Sequence, residues 1–184
     1  MLEWGDLMGT EGIYIRETEA GDLQEIEDVL LDAYGQYSQF LSQEHWTGYR
    51  DDILRQARES GAWRKFLAVS EEQIVGSVFL YGPSLTAEDV ENGRAGAPFV
   101  RLLAVRPSAR GKGVATALIQ ECARVSAAEG KDFLYLNTSD MMADAVRLYE
   151  QLGFVRVPEY ETYKVGILVK CYKLDLQTTS LLHA

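Results

Sequence analysis

Apolar residues follow two alternating spacings along this chain, one typical of strands and one typical of helices. Short apolar runs that predict strands lie at 13–16, 66–70, 74–81, 99–105, 133–137, 154–157 and 165–176. Apolar residues three and four apart predict helices from near Asp22, from about 42 to 58, over 114–129 and from about 142 to 152. Gly130 and Gly153 are placed to end the last two. The pattern predicts an α/β fold with one mixed central β-sheet and helices on both faces.

A chain of 184 residues is long enough for one well-buried domain and short for two. We therefore expect a single domain over 1–184 with its core at about 12–176, and we expect 177–184 to form a flexible tail. The segment 82–97 has no clear period and is long for a connection. Two interpretations stay open for it, a functional loop and a tolerated surface insertion.

The formal net charge of −10 disfavours nucleic acid and anionic membrane as partners, because both reward clustered Lys and Arg. No apolar run approaches the ~20 residues that cross a bilayer, and the first residues carry acids where a secretory signal would carry bases. Cys122 and Cys171 are predicted to be buried free thiols. These features predict a cytoplasmic protein.

One basic segment interrupts the acidic chain. No Asp or Glu occurs from 92 to 120, where Arg94, Arg101, Arg106, Arg110 and Lys112 all fall. Within it, a predicted strand leads through Arg110-Gly111-Lys112-Gly113 into a predicted helix. A helix N-terminus offers free N–H groups, and glycines let the backbone curve closely around phosphate oxygens. The segment therefore predicts an anion-binding site.

Two nucleotide-binding motifs do not match this loop. A Walker loop ends Gly-Lys-Ser/Thr, whereas Lys112 precedes Gly113 and Val114 follows it. A dinucleotide loop needs a third glycine where this chain has Thr116. The loop fits Arg/Gln-x-x-Gly-x-Gly/Ala instead.

Here the chain resembles the GNAT superfamily of N-acetyltransferases, which use acetyl-CoA. A second segment, Ala145-Val146-Arg147-Leu148-Tyr149-Glu150-Gln151-Leu152-Gly153-Phe154, is similar to the family's Ala-x-x-Leu-Tyr-x-x-x-Gly-Phe signature. The two motifs stand in the family's order, and the strong likeness covers roughly 98–157. The resemblance implies the GNAT fold, with acetyl-CoA as cosubstrate and no metal.

The resemblance also implies which residues hold coenzyme A. The backbone from Gly111 to Thr116 would bind the pyrophosphate, the strand at 103–105 would pair with the pantetheine arm, and the next strand would line the other side. The residues implied to bind the cofactor are Leu103, Ala104, Val105, Arg110, Gly111, Lys112, Gly113, Val114, Ala115, Thr116, Asn137, Thr138, Met142, Ala145 and Leu148. A backbone N–H near Val105 is the implied oxyanion donor.

Tyr149 is the predicted catalytic residue, because the resemblance places its hydroxyl where it can protonate the leaving thiolate. The alternative is an aromatic that only packs on an amphipathic helix. Two positions depart from the family's pattern: Phe99 stands where many members have a glutamate base, and Met142 stands where many have Asn.

The base is therefore left open. The candidates are His45, the loop acids Glu88, Asp89 and Glu91, and the pair Glu159 and Glu161; each is otherwise a solvated charge. Two interpretations stay open for five aromatic residues, which either line an acceptor pocket or pack between two helices: Tyr34, Tyr37, Phe40, Trp46 and Tyr49.

The predicted function is transfer of an acetyl group from acetyl-CoA to a primary amine of a small molecule or peptide. The acidic loops favour a cationic acceptor, and the resemblance leaves room for a homodimer. The alternative function is a non-catalytic acyl-CoA-binding sensor or interaction module.

Overall fold

The structure is a computed structural model that describes residues 12–59, 61–83, 96–164 and 166–183. Its strands are β1 (Ile13–Glu17), β2 (Arg64–Ser70), β3 (Gln73–Tyr81), β4 (Phe99–Val105), β5 (Phe133–Ser139), β6 (Val155–Arg156), β7 (Thr162–Lys164) and β8 (Ile167–Asp175). Its α-helices are α1 (Leu23–Tyr34), α2 (Gln43–Glu59), α3 (Val114–Ala128) and α4 (Ala143–Gln151). A 3₁₀ segment, Gly35–Phe40, follows α1 and leads toward the start of α2.

The eight strands form one mixed sheet in the order β1-β2-β3-β4-β5-β8-β6, with β7 paired to β8 beside β6. Every pairing is antiparallel except β4 with β5, which is parallel. The parallel pair follows from the chain path, because α3 crosses over between the two strands.

Helices cover both faces of the sheet, as the sequence predicts. On one face, α3 buries Leu118 and Ile119 against Val78 and Leu136. On the other, α1 and α2 bury a second cluster that includes Leu30, Ile53, Leu67 and Phe79. Because each helix buries one apolar stripe, the two clusters lie on opposite sides of β2–β4.

Gly76 sets the close approach of α3 to the sheet. A Cβ there would lie 2.9 Å from Val114 Cγ1 and 3.0 Å from the Ala104 carbonyl oxygen. Val114 is the first residue of α3 and is buried. The missing side chain on β3 therefore fixes where this helix begins.

The strands β4 and β5 separate soon after they pair. Their pairing consists of Phe99 with Tyr135 and Val100 with Leu136. Leu102 then has a φ of +50°, a rare backbone conformation for leucine, and the register against β3 shifts between Ser77 and Phe79. A bulge at this point turns β4 away from β5 and opens a gap between their carboxyl ends.

Two predictions about the elements need correction. The strand β7 was not predicted, since Thr162-Tyr163-Lys164 is short and its side chains are exposed. The predicted flexible tail is wrong for 177–183. Leu181 is buried against the α3 side, and Gln120 donates a 2.9 Å hydrogen bond to its carbonyl.

Within the described ranges, none of the helices has the length and apolar character needed to cross a bilayer.

Candidate active site

A cavity of about 1320 Å³ occupies the gap between β4 and β5 and extends over α1 and α2. Fifteen of the sixteen residues predicted from the two motifs line it, and Lys112 is the one that does not. We call the side formed by the cavity-lining residues of 103–105, 110–116, 137–139 and 142–149 the glycine-turn wall. We call the opposite side, formed by the end of α1, the 3₁₀ segment and one face of α2, the α2 wall.

The glycine-turn wall contains the start of α3. Gly111 and Gly113 have φ of +73° and +78°, a region that side chains disfavour, and Gly113 is the N-cap of the helix. The first bond of the helix runs from Ala117 N–H to the Gly113 carbonyl at 3.0 Å. The N–H groups before Ala117 have no partner within the helix, which makes this end an anion site.

Arg110 is held in place by hydrogen bonds to α1 and the segment that follows it. Its guanidinium donates hydrogen bonds to Gln36 Oε1 at 3.0 Å and to the Ala33 carbonyl at 3.3 Å. Both acceptors belong to the end of α1 and the segment after it. Arg110 therefore fastens the glycine turn to α1, while Lys112 is exposed off the wall.

Two hydroxyl groups at the end of β5 lack partners. The side chains of Thr138 and Ser139 are buried on the cavity wall, and within the described part of the chain neither hydroxyl oxygen has a hydrogen-bond partner. A buried polar group left unpaired costs about 1–3 kcal/mol. A polar ligand in the cavity would remove that cost.

Tyr149 lies on the glycine-turn wall and is 6% exposed. Its ring packs on Phe154 with 5.8 Å between centroids. Burial raises the pKa of the Tyr149 hydroxyl above its usual value, and nearby Tyr37 adds to the rise. The hydroxyl therefore stays protonated at neutral pH, as a proton donor must.

Tyr34 links the two walls. It is the last residue of α1, and its hydroxyl donates a 3.1 Å hydrogen bond to the carbonyl of Leu103 on β4. Its ring lies edge-on to Tyr37 and to Tyr49 of α2. Of the five aromatic residues predicted to wall a pocket, four line the cavity and Trp46 instead packs on Tyr49.

The candidate bases fare differently. His45 lines the cavity from α2. Glu161 does not line the cavity, and its carboxylate is ion-paired with Arg156 at 2.6 Å. Glu159 is exposed and does not line the cavity either. The acids Glu88, Asp89 and Glu91 lie outside the described residues. Phe99, in the place of a family glutamate, lines the cavity as an apolar side chain.

Sequence reasoning missed most of the α2 wall. The α2 residues that line the cavity are Glu44, His45, Gly48, Tyr49, Asp52, Ile53 and Gln56. They recur at helical spacing and form one face, but half of them are polar. A search for polar residues at that spacing beside the predicted apolar stripe would have found them. Arg101 on β4, predicted only as part of the basic segment, also lines the cavity. Lys164 on β7 lines it as well and was not predicted.

In the same described ranges, no group of three or more His, Cys, Asp or Glu side chains is placed to hold a metal ion. Both cysteines are buried free thiols, as predicted.

Comparison with known proteins agrees with this geometry. Residues 23–154 match the model of the acetyltransferase (GNAT) family. N-acetyltransferase 8B from Rattus norvegicus is 30% identical over 132 residues, which are 66% of this chain. The match spans 56% of the length of that rat protein.

Two solved structures share the fold. The PaiA N-acetyltransferase of Thermoplasma acidophilum, solved in complex with coenzyme A, has a TM-score of 0.65 at 14% identity, covering 88% of this chain and 99% of the other. A GNAT family acetyltransferase of Brucella melitensis, solved with acetyl-CoA, has a TM-score of 0.58 at 19% identity, covering 89% and 87%. At these identities the likeness is one of fold.

The family match covers well over half of the chain, and the predicted GNAT fold and acyltransferase family are both confirmed. This chain belongs to the acetyltransferase (GNAT) family.

Proposed function

We propose that this chain transfers an acetyl group from acetyl-CoA to a primary amine, with the coenzyme on the glycine-turn wall and the amine on the α2 wall. The observation that carries the proposal is the single cavity that joins the glycine turn, the gap between β4 and β5, and Tyr149. A site for a thioester and a site for its acceptor must meet in one space, and these walls do.

The residues on the glycine-turn wall fit coenzyme A. The positive φ of Gly111 and Gly113 and the free N–H groups of α3 suit a pyrophosphate. The unpaired hydroxyls of Thr138 and Ser139 suit the polar groups of a pantetheine arm. The solved relatives with coenzyme A or acetyl-CoA support the same choice. When bound, acetyl-CoA supplies a thioester carbonyl that an amine attacks with loss of the thiol.

Tyr149 is the residue that we assign to proton donation toward the departing thiolate. Its raised pKa keeps the hydroxyl protonated, and its burial beside Phe154 fixes the ring. Because the Tyr149 hydroxyl already carries its proton at neutral pH, it does not accept the proton of the amine. That step falls to solvent or to His45, the imidazole among the described residues that line the cavity.

Tyr34 has a supporting role in this proposal. The gap removes β5 as a partner for the end of β4, and the Tyr34 hydroxyl satisfies the carbonyl of Leu103 there. Its hydrogen bond therefore holds the separated end of β4 in position without closing the gap.

Purified protein tests the proposal. Acetyl-CoA is supplied with a panel of primary amines, free thiol is followed by a colorimetric reagent, and acetylated products are identified by mass spectrometry. We expect amine-dependent thiol release and a mass increase of one acetyl group. A chain that binds coenzyme A, as seen by a rise in Tm, but acetylates no amine would instead be the non-catalytic acyl-CoA-binding module.

A further inference from the structure

The cations on the cavity wall differ in what they bind. In the described ranges, the positively charged side chains that line the cavity are Arg101, Arg110 and Lys164. Arg110 is occupied by oxygens of Gln36 and Ala33. Arg101, which lies on β4 next to the bulge at Leu102, has no such oxygen partner among the described residues.

Arg101 stands apart from the other arginines of the described ranges. Nine of them have a carboxylate partner within ion-pair distance. In the same ranges Arg101 makes neither an ion pair nor a hydrogen bond through its guanidinium. Its contacts are two aromatic rings, Tyr81 at 5.5 Å and Phe99 at 5.4 Å from the guanidinium carbon.

Those rings prepare Arg101 to bind a planar anion. Tyr81 and Phe99 are directly paired across β3 and β4, and they hold the guanidinium by cation–π contact. Aromatic contacts of this kind leave the N–H donors at the edge of the guanidinium group unpaired. Two parallel donors in a fixed plane match the two oxygens of a carboxylate.

The charge that β4 carries also differs from that of many GNAT members. Phe99 stands where many GNAT members have a glutamate, and Arg101 follows two residues later on the same face of β4. The strand β4 therefore presents an aromatic ring and a cation to the cavity, and it carries no carboxylate.

Most of the acids among the described residues that line the cavity are already paired. Asp52 is paired with Arg55 and Gln56, and Asp144 is paired with Arg147. Glu44 remains as an exposed carboxylate on the α2 wall, opposite in sign to Arg101. An acceptor that carries both an ammonium group and a carboxylate matches this distribution.

We propose that Arg101 binds the carboxylate of the acceptor, so that the acceptor is an amino acid or an amino-acid conjugate with a free carboxylate. This inference rests on the proposed function and adds a carboxylate to the cationic acceptor that the sequence favours. Arg101 is in these terms a specificity-determining residue, and Lys164 adds positive charge at the rim.

The test compares matched acceptors. The twenty proteinogenic L-amino acids, each beside its own α-carboxamide, and 1,4-diaminobutane are assayed with acetyl-CoA by thiol release. We expect the best amino acid to exceed its carboxamide in kcat/KM by about 10- to 100-fold, the size of a charge-assisted hydrogen-bonded pair. Most of the difference should lie in KM.

Variants assign that preference to one residue. Arg101→Gln should reduce the acid-over-amide ratio to within about threefold, and Arg101→Lys should restore part of it, because a point charge lacks the paired donors. Arg50→Gln is the matched control; Arg50 is exposed on α2, pairs with Asp51 and does not line the cavity. It should keep the wild-type ratio.

A second measurement does not depend on turnover. N-acetyl-L-amino acids have no free amine, and in the presence of coenzyme A they should raise the Tm of the wild type but not that of Arg101→Gln. The inference is overturned if amides or the diamine are preferred, or if the acid preference survives in Arg101→Gln. It is also overturned if the amino acids are not acetylated and the N-acetyl-L-amino acids do not bind. A rise in Tm with coenzyme A alone, and thiol release with other amines, show separately whether the proposed function stands.

Discussion

The two walls of the cavity are made from the chain in different ways. The glycine-turn wall comes from four short segments of the chain, and much of what it offers is backbone: free N–H groups, positive-φ glycines and a strand that has separated from its neighbour. The α2 wall offers side chains spaced three and four apart, with tyrosine, carboxylate, imidazole and amide groups on one face. Backbone sites tolerate few residues at fixed positions, whereas a helix face accepts many. We therefore expect substitutions on the first wall to abolish binding and substitutions on the second to change selectivity.

The largest effect should come from Gly113→Asp. Aspartate there places a negative charge at the N-terminus of α3, where the coenzyme's phosphates would lie, and it disfavours the φ of +78°. We expect coenzyme A affinity to fall by at least about 100-fold, measured by titration calorimetry.

Gly130→Asp is the control for that change. Gly130 also has a positive φ, +69°, but lies beyond the other end of the same helix and off the cavity wall. It should keep wild-type affinity. Equal affinity in both variants would move the coenzyme away from the glycine turn.

Tyr149→Phe should have the next largest effect. The change removes the hydroxyl and little volume, so Tm and acetyl-CoA KM should stay close to wild type. We expect kcat to fall by about 10- to 100-fold, because a coenzyme A thiolate leaves readily and gains less than the upper range from an acid. Tyr163→Phe, at a residue 75% exposed and off the cavity wall, is the control. Wild-type kcat in Tyr149→Phe would leave this tyrosine a packing residue.

Gly76→Ala tests how the scaffold supports the glycine-turn wall. The new methyl group would lie 2.9 Å from Val114 Cγ1, so α3 must shift or the side chains must repack. We expect unfolding to become easier by about 1–3 kcal/mol, measured by urea denaturation, with weaker coenzyme A binding. Gly82→Ala, whose methyl group would meet Trp63 at 3.4 Å, should change both far less. If Gly76→Ala costs stability and leaves affinity untouched, the start of α3 is not what positions the coenzyme.

Glu161→Gln should have the smallest effect, a change in Tm, because Glu161 does not line the cavity. Hydrogen bonding from Arg156 lowers the pKa of Glu161. A lowered folded-state pKa contributes stability above the unfolded pKa of about 4.5, and that contribution is lost as pH falls through the folded value.

We therefore expect the wild type to exceed Glu161→Gln in Tm by about 2 °C at pH 7, with the difference closing toward pH 3. Glu159→Gln, at an exposed position, should show no difference at either pH. A difference that persists at pH 3 would show that charge is not its cause.

Most residues that the sequence assigned to coenzyme A line the cavity, because few other residues can replace them at those positions. Gly111, Gly113 and the Leu148-Tyr149 pair all do so, and their binding and catalytic roles stay predictions. Lys112 was assigned to the site as a positive charge of the glycine loop, and it is exposed and does not line the cavity. The bulge at Leu102 was not predicted, because nothing about leucine indicates a positive φ.

The α2 wall was hidden from sequence reasoning for a physical reason. Its carboxylates and amides read as the solvated face of an amphipathic helix, and only the position of α2 over β4 makes that face line a cavity. That no acid among the described residues pairs with Arg101 is likewise a property of the folded chain. A sequence shows that an arginine is present but not which acids come near it.

The short contact between β4 and β5 also has a mechanical consequence. Two residue pairs, Phe99–Tyr135 and Val100–Leu136, join a four-stranded half of the sheet to the half that contains β5 and β8. The five residues of β4 beyond this contact span about 16 Å. A rotation of about 5° at the contact would displace the far end of β4 by roughly 1.4 Å, about the radius of a water molecule. The width of the cavity is therefore sensitive to a small change in the angle between β4 and β5.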